Sequence, residues 1–264
     1  MDGSSMDTYM ALVLAGRRGT PDPLDAMQPA THPSLIDVGG VPMLLRVVRA
    51  LRESERIGRI AISIDTASVL ANAELAADDR LLHHQSLASP SRSVQDALSG
   101  LATGGPVLVT TADHALLTPE IISDFLERAD ALGTDLAVGV VEESVIRAAY
   151  PDTSRTYLRF REGGYSGANL FAFRTPLAAR AAEFWVKAEQ FRKRPWRLAS
   201  VFGPVSLLLF VLRRLSFDAA LARGSAAIGC RVDAVRLPFA EAAIDVDRPS
   251  DLALVSKILT ARSQ

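Results

Sequence analysis

The sequence predicts an α/β protein of three layers, αβα, with a mostly parallel mixed sheet between helices. Three observations predict it. Short apolar runs alternate with helical patterns along the chain, which is the signature of strands joined by crossover helices. An apolar run near the start, Ala11 to Ala15, passes straight into a glycine-arginine turn, Gly16-Arg17-Arg18-Gly19. A second, Val107 to Val109, leads through two threonines to Asp113 and then to a helix start. No repeat, low-complexity tract or linker interrupts the alternation, so one domain over 1–264 is expected, with a helical insertion at about 176–230.

Taken in order, the first strand is expected at about 10–15 and the first helix at 42–53, where Pro42 precedes the apolar-periodic run Leu45 to Leu51. A strand at 59–64 and a helix at 67–77 follow, then a helix at 91–101. Gly104-Gly105-Pro106 sets off a strand at 106–111, and Thr118-Pro119 reads as an N-cap with proline in the first turn of a helix at 118–131. Strands at 135–141 and 167–173 precede helices at 176–190, 204–214 and 216–228, with Pro204 starting or kinking the middle one. A strand at 231–236 and a helix at 249–261, started by Arg248-Pro249-Ser250, complete the pattern.

Composition narrows the class. Apolar residues make up 48% and charged residues 22%, a globular rather than a disordered balance. The net charge of −1 argues against a general nucleic-acid binder, so any anion must be met by local cations. Those are almost all arginine, since Lys187, Lys193 and Lys257 are the only lysines. One cysteine, Cys230, excludes an intrachain disulfide and suits a reducing compartment. Residues 1–8 lack the basic end and apolar stretch of a signal peptide, and no apolar run reaches the roughly 20 residues of a membrane span. A cytoplasmic protein is expected.

The chemistry is expected at three places. In the turn after the first strand, backbone N–H groups of a small-residue loop approach phosphate closely, and arginine forks onto its oxygens. Leu14, Ala15, Gly16, Arg17, Arg18 and Gly19 are the candidate nucleotide-binding residues there, with Arg17 and Arg18 as catalytic charges. Asp113 follows what should be the carboxyl end of a central strand, where α/β sheets bind ligands, and is a candidate for Mg²⁺, although a turn or helix-capping aspartate would read the same way. Asp245 and Asp247 alternate on an expected short strand and share one face, which would add a second carboxylate, or else supply a strand-to-helix cap. His32 and His114 are within reach of a phosphate in the same reading, against a neutral loop role; the adjacent His83 and His84 read as a strand end or loop rather than a metal site.

These segments, in this order, resemble the MobA-like NTP transferases, the nucleotidyltransferases of the molybdenum-cofactor guanylyltransferase type, a superfamily that includes sugar-phosphate cytidylyltransferases. The opening ALVLAGRRG is similar to the family's first strand and loop, and Val38-Gly39-Gly40-Val41-Pro42-Met43-Leu44 to its helix-leading motif. Ala112-Asp113-His114-Ala115-Leu116-Leu117 resembles the strand end that carries the family's metal-binding aspartate, and Asp245-Val246-Asp247-Arg248-Pro249 its closing motif. Ser91 and Ser93 fall where the family contacts the nucleotide, and Gly167 and Asn169 where it lines the acceptor pocket. The resemblance covers about 9–175 and 231–260 and implies a Rossmann-like fold of the nucleotide-diphospho-sugar transferase (GT-A-like) type. It also implies a Mg²⁺-dependent transfer of an NMP group from CTP or GTP to a phosphorylated small-molecule or lipid-headgroup acceptor, with release of pyrophosphate.

The family usually carries a lysine at the step written here as His32-Pro33-Ser34-Leu35; either an arginine substitutes, or the chain is a catalytically silent nucleotide-binding relative. A glycosyltransferase, suggested by Asp245-Val246-Asp247, fits less well because its Asp-x-Asp motif ends a middle strand. A dinucleotide oxidoreductase lacks its G-x-G-x-x-G spacing. One segment points elsewhere. The apolar run Val201 to Leu212 lies between Arg192-Lys193-Arg194-Pro195-Trp196-Arg197 and Arg213-Arg214, compatible with a peripheral membrane contact over 192–214 at the inner membrane face, or with a core or homodimer helix.

Overall fold

The computed structural model describes residues 8–17, 24, 32–101, 105–153, 155–190 and 203–262. Arg18, Gly19 and the basic stretch 192–197 therefore lie outside the described residues.

Strand β1 (Tyr9–Leu14) is apolar along nearly its whole length because it is covered on both faces. It pairs in parallel with β4 (Ile57–Ile64) on one side and β6 (Val107–Thr111) on the other. The eight-stranded sheet runs β10-β7-β9-β6-β1-β4-β5, with β5 (Leu81–Gln85), β7 (Leu136–Glu142), β9 (Gly164–Phe173) and β10 (Val232–Arg236). The short β8 (Leu158–Arg159) pairs with β9, and β2 (Asp37–Val38) with β3 (Val41–Pro42) forms a separate hairpin. Only β9 runs against its neighbours β6, β7 and β8; the other pairings in the large sheet are parallel. The predicted mostly parallel mixed sheet is present.

Alternation along β1 feeds two cores. Ala11 and Val13 pack with α1 (Met43–Glu53), α4 (Pro119–Leu132) and α5 (Glu143–Ala149). Leu12 points the other way, with Val94 and Ala97 of α3 (Pro90–Gly100), Ala181 and Ala182 of α6 (Ala179–Gln190), and Leu221 and Ile228 of α8 (Phe217–Ile228). Between α6 and α8 lies α7 (Pro204–Val211), and α9 (Pro249–Arg262) closes a third cluster against Val38 and Leu116. The Thr118 side chain accepts from the Ile121 N–H at the start of α4, as its Thr-Pro signature predicts, and Gly133 ends that helix at φ 60°.

Some expectations need correction. The helix expected at 67–77 is a 3-10 turn (Ala67–Ala71) and a short helix α2 (Ala73–Ala76), parted by Asn72, whose side chain caps α2 by accepting from the Glu74 N–H. The helix expected to reach 214 stops at Val211, and Arg213 takes the left-handed region at φ 55°. Residues 245–247 are not in a strand; they form a link in which the Val246 N–H donates to the Asp113 carbonyl at 3.1 Å.

Candidate active site at the sheet switch point

Because β4 and β6 lie on opposite sides of β1, the crossovers diverge there, and a crevice opens beyond the carboxyl ends of β1 and β6. Leu14 is in register with Thr111, and Gly16 and Asp113, each two residues further on, both line that crevice. The loop backbone is anchored: the Ala15 N–H donates to the Ser63 carbonyl at 2.8 Å and the Ala112 N–H to the Leu14 carbonyl at 3.0 Å. A cavity of about 280 Å³ occupies the crevice, lined by Leu14 to Arg17, Thr111 to Asp113 and Asp247, among others. Gly16 is there because nothing larger fits: a Cβ would stand 2.6 Å from Ser86 Oγ.

The two carboxylates arrive separately. Asp113 is held by the Thr111 hydroxyl, which donates to its Oδ1. Asp247 is brought to the same wall by the link at Val246. Asp245 takes a different place, bound by the Arg155 guanidinium and by Asn169 Nδ2 at 3.1 Å. It lines a second cavity of about 720 Å³ with Arg155, Ser166, Gly167, Arg248 and Lys257. Asn169 and Asp247 belong to both cavity walls, and Asn169 sits at φ 49°, in the left-handed region that asparagine tolerates better than most residues.

A carboxylate missed by the sequence reading organises the first loop. Asp65 Oδ1 accepts from the Arg17 N–H at 3.0 Å and lies 3.1 Å from His32 Nε2, whose Nδ1 is 2.7 Å from Ser34 Oγ. Ser34 lines the smaller cavity, so Asp65 ties the Arg17 turn to the residues occupying the family's lysine step. Partial burial pushes the Asp65 carboxyl up, but hydrogen bonds from the Arg17 N–H, His32 and the Thr66 hydroxyl outweigh it and hold the group at about 2. A carboxyl depressed in the folded state stabilises the fold above its unfolded pKa of about 4 and loses that contribution as pH falls toward 2. Asp65→Asn is therefore expected to flatten the acid limb of a stability-against-pH curve between about pH 4 and 2, checked by denaturant melts at each pH.

The remaining candidates are placed as follows. Ser91 and Ser93 are buried and committed inward: Ser91 donates to Glu189 Oε2 at 2.7 Å and Ser93 Oγ accepts from the Leu87 N–H at 2.8 Å. Their neighbour Pro90 lines the smaller cavity. His114, 1% exposed, does not line either cavity; burial holds it neutral, its pKa lowered to about 4. His84 is buried in edge strand β5 between Ser63 Oγ (3.0 Å) and Asp96 Oδ2 (3.1 Å). Phe171 and Trp185 add an aromatic wall to the smaller cavity. Phe171 was recoverable from strand periodicity, being two residues beyond Asn169 on one face, whereas nothing local in the sequence announces Trp185.

Among the described residues no group of three or more His, Cys, Asp and Glu side chains could hold a metal ion by itself. Magnesium asks for less when a triphosphate is present, taking one or two carboxylates and filling its shell with phosphate oxygens and water. Asp113 and Asp247 on one wall fit that requirement.

A crevice with a small-residue loop and carboxylates at a sheet switch point is the arrangement of a nucleotide-handling α/β protein. Residues 11–196 match the MobA-like NTP transferase domain, and the chain belongs to that family. It is similar to the 3-deoxy-manno-octulosonate cytidylyltransferase of Bradyrhizobium sp. (strain ORS 278), with 31% identity over 39% of this chain and 43% of that one. The enzyme of the same name from Nitrobacter hamburgensis is 29% identical over 41% of this chain and 43% of its own. The chain thus spans less than half the length of the curated relatives it matches. Among solved structures, a hypothetical transferase from Thermus thermophilus superposes with a TM-score of 0.77 at 28% identity, over 93% of this chain and 99% of that one. A 4-diphosphocytidyl-2C-methyl-D-erythritol synthase from Anaerococcus prevotii shares the fold, with a TM-score of 0.64 at 12% identity over 97% and 100% of the two chains.

Proposed function

We propose that this chain is a Mg²⁺-dependent nucleotidyltransferase that moves CMP from CTP to an anionic, phosphorylated acceptor and releases pyrophosphate. The observation that carries the reading is the shared wall: Asp113 and Asp247 face the cavity of the Gly16–Arg17 loop, and Asp247 and Asn169 also face the larger one. The triphosphate belongs in the smaller cavity against the loop backbone and Arg17. The acceptor belongs in the larger cavity, where Arg248 and Lys257 meet its charge. Cytidine as the base follows the names of the two cytidylyltransferase relatives. The lone, buried Cys230 suits a reducing cytoplasm.

An acceptor phosphate oxygen attacks the α-phosphorus; the new P–O bond forms as the α–β bridging bond breaks, and pyrophosphate carries away the electron pair. The chain contributes position and charge rather than covalent chemistry. Asp113 and Asp247 would hold Mg²⁺, whose role is to neutralise charge on the triphosphate. Arg17 meets phosphate oxygens, the sequence motif assigns the same part to Arg18, and Asn169 orients the acceptor at the boundary of the two cavities.

The test is thermal stability with CTP and GTP, each with and without Mg²⁺, followed by a pyrophosphate-release screen. CTP at about 100 times its dissociation constant should add roughly 2.7 kcal/mol, a rise of several degrees that requires Mg²⁺. A larger rise with GTP reassigns the base. No rise with either nucleotide, given the absence of lysine from the His32-Pro33-Ser34-Leu35 step, would leave a silent relative of the family.

A further inference from the structure

Helix α7 carries an apolar arc that the rest of the described chain leaves uncovered. Val205, Leu207, Leu208 and Val211, with Leu212 just past the helix end, are 65%, 44%, 58%, 68% and 54% exposed. At about 100° per residue these positions sweep one continuous face of roughly 160°. Among the described residues the other side of the helix is the one that packs: Ser206 is buried, and Phe210 meets Phe160 edge-on at 5.5 Å between centroids. Single exposed leucines are ordinary on a protein surface, but a contiguous apolar patch marks a contact.

In the sequence, cations flank this helix on both sides; the first acidic residue after it is Asp218, and Glu162 accepts from the Phe217 N–H. Arg213 and Arg214 follow the helix and are exposed. From 191 to 216 the sequence holds Arg192, Lys193, Arg194, Arg197, Arg213 and Arg214, and no aspartate or glutamate. A second copy of the chain on this face would bring two arginine-flanked patches together, because a two-fold contact uses the same patch on both subunits. An anionic surface with an apolar layer beneath it meets both features. Eight residues make a helix of about 12 Å, far short of the ~30 Å bilayer core. No described helix is long and apolar enough to cross a membrane.

We propose that α7 docks the protein on an anionic lipid bilayer, its apolar arc in the headgroup–acyl boundary and Arg213 and Arg214 among the lipid phosphates. This contact does not depend on the chain's being a transferase. The experiment is co-sedimentation of the full chain with vesicles of phosphatidylcholine alone or mixed equally with phosphatidylglycerol, at low and high salt. Binding is expected to the mixed vesicles, stronger at low salt. Leu208→Glu and Val211→Glu should each cut partitioning on the order of tenfold or more, and the Arg213→Glu/Arg214→Glu pair roughly fivefold per residue. Thermal midpoints of these variants should stay at the wild-type value, since the altered side chains are exposed. Failure to bind the mixed vesicles at low salt overturns the proposal, as does equal binding to phosphatidylcholine alone. So does a dimer in sedimentation equilibrium that Leu208→Glu dissolves without any vesicle binding, which would make the arc a self-interface. Nucleotide-induced thermal shifts are read separately, so failure of the bilayer contact is distinct from failure of the catalytic reading.

Discussion

Asp113→Asn is expected to lower the rate of pyrophosphate release by roughly 10²-fold or more while the protein keeps its fold. The substitution preserves the shape of the side chain, and its amide oxygen can still accept from the Thr111 hydroxyl. What it removes is a negative charge on the wall shared with Asp247. If the two carboxylates act as a unit on one cation, the Asp113→Asn/Asp247→Asn pair should be little worse than either single change. The check is steady-state kinetics with CTP across a range of Mg²⁺ concentrations, where each single variant should need more cation. Full activity in Asp113→Asn would remove the proposed metal site altogether.

The second large effect is expected from one methyl group. In Gly16→Ala the new Cβ would fall 2.6 Å from Oγ and 2.7 Å from Cβ of Ser86. Ser86 cannot easily withdraw, because its N–H donates to the Ile64 carbonyl at 3.1 Å. The loop must therefore shift, at about 1–3 kcal/mol, and its backbone donors move off the triphosphate. CTP affinity measured by calorimetry should fall roughly 10- to 100-fold. Adding Ser86→Gly removes the opposing side chain and should recover most of the loss. If Gly16→Ala binds CTP as tightly as wild type, the cradle lies elsewhere.

The sheet was legible wherever burial wrote itself into a continuous apolar run. β1, β6 and β7 are largely such runs, while β4, β9 and β10 carry polar residues among the apolar ones; the expected limits of all six fall within a few residues of those observed. β5 was not, because an edge strand reading Leu81-Leu82-His83-His84-Gln85 buries little, and its inward histidine is satisfied by Ser63 and Asp96 rather than by apolar neighbours. Helix α5 went unread since seven residues are too short to show a 3.6-residue period. In the site, Gly16 and Asp113 could be found because strand ends and turns are local features. Asp65 could not, since its partners Arg17 and His32 are 48 and 33 residues away. The different placement of Asp245 and Asp247 was likewise hidden: alternation on a strand would have put both on one face, whereas in the link paired at Val246 with Asp113 both line the larger cavity and only Asp247 also lines the smaller one.

That pairing also sets an order in time. Asp113 belongs to the middle of the chain, while Asp247 follows every strand of the sheet. As the polypeptide is synthesised from its amino end, β1 and β6 can associate and form the loop long before residue 247 exists. A nascent chain at that stage presents one carboxylate of the pair and no partner for the Asp113 carbonyl. The proposed two-carboxylate site is thus complete only when the chain's last link closes on Asp113.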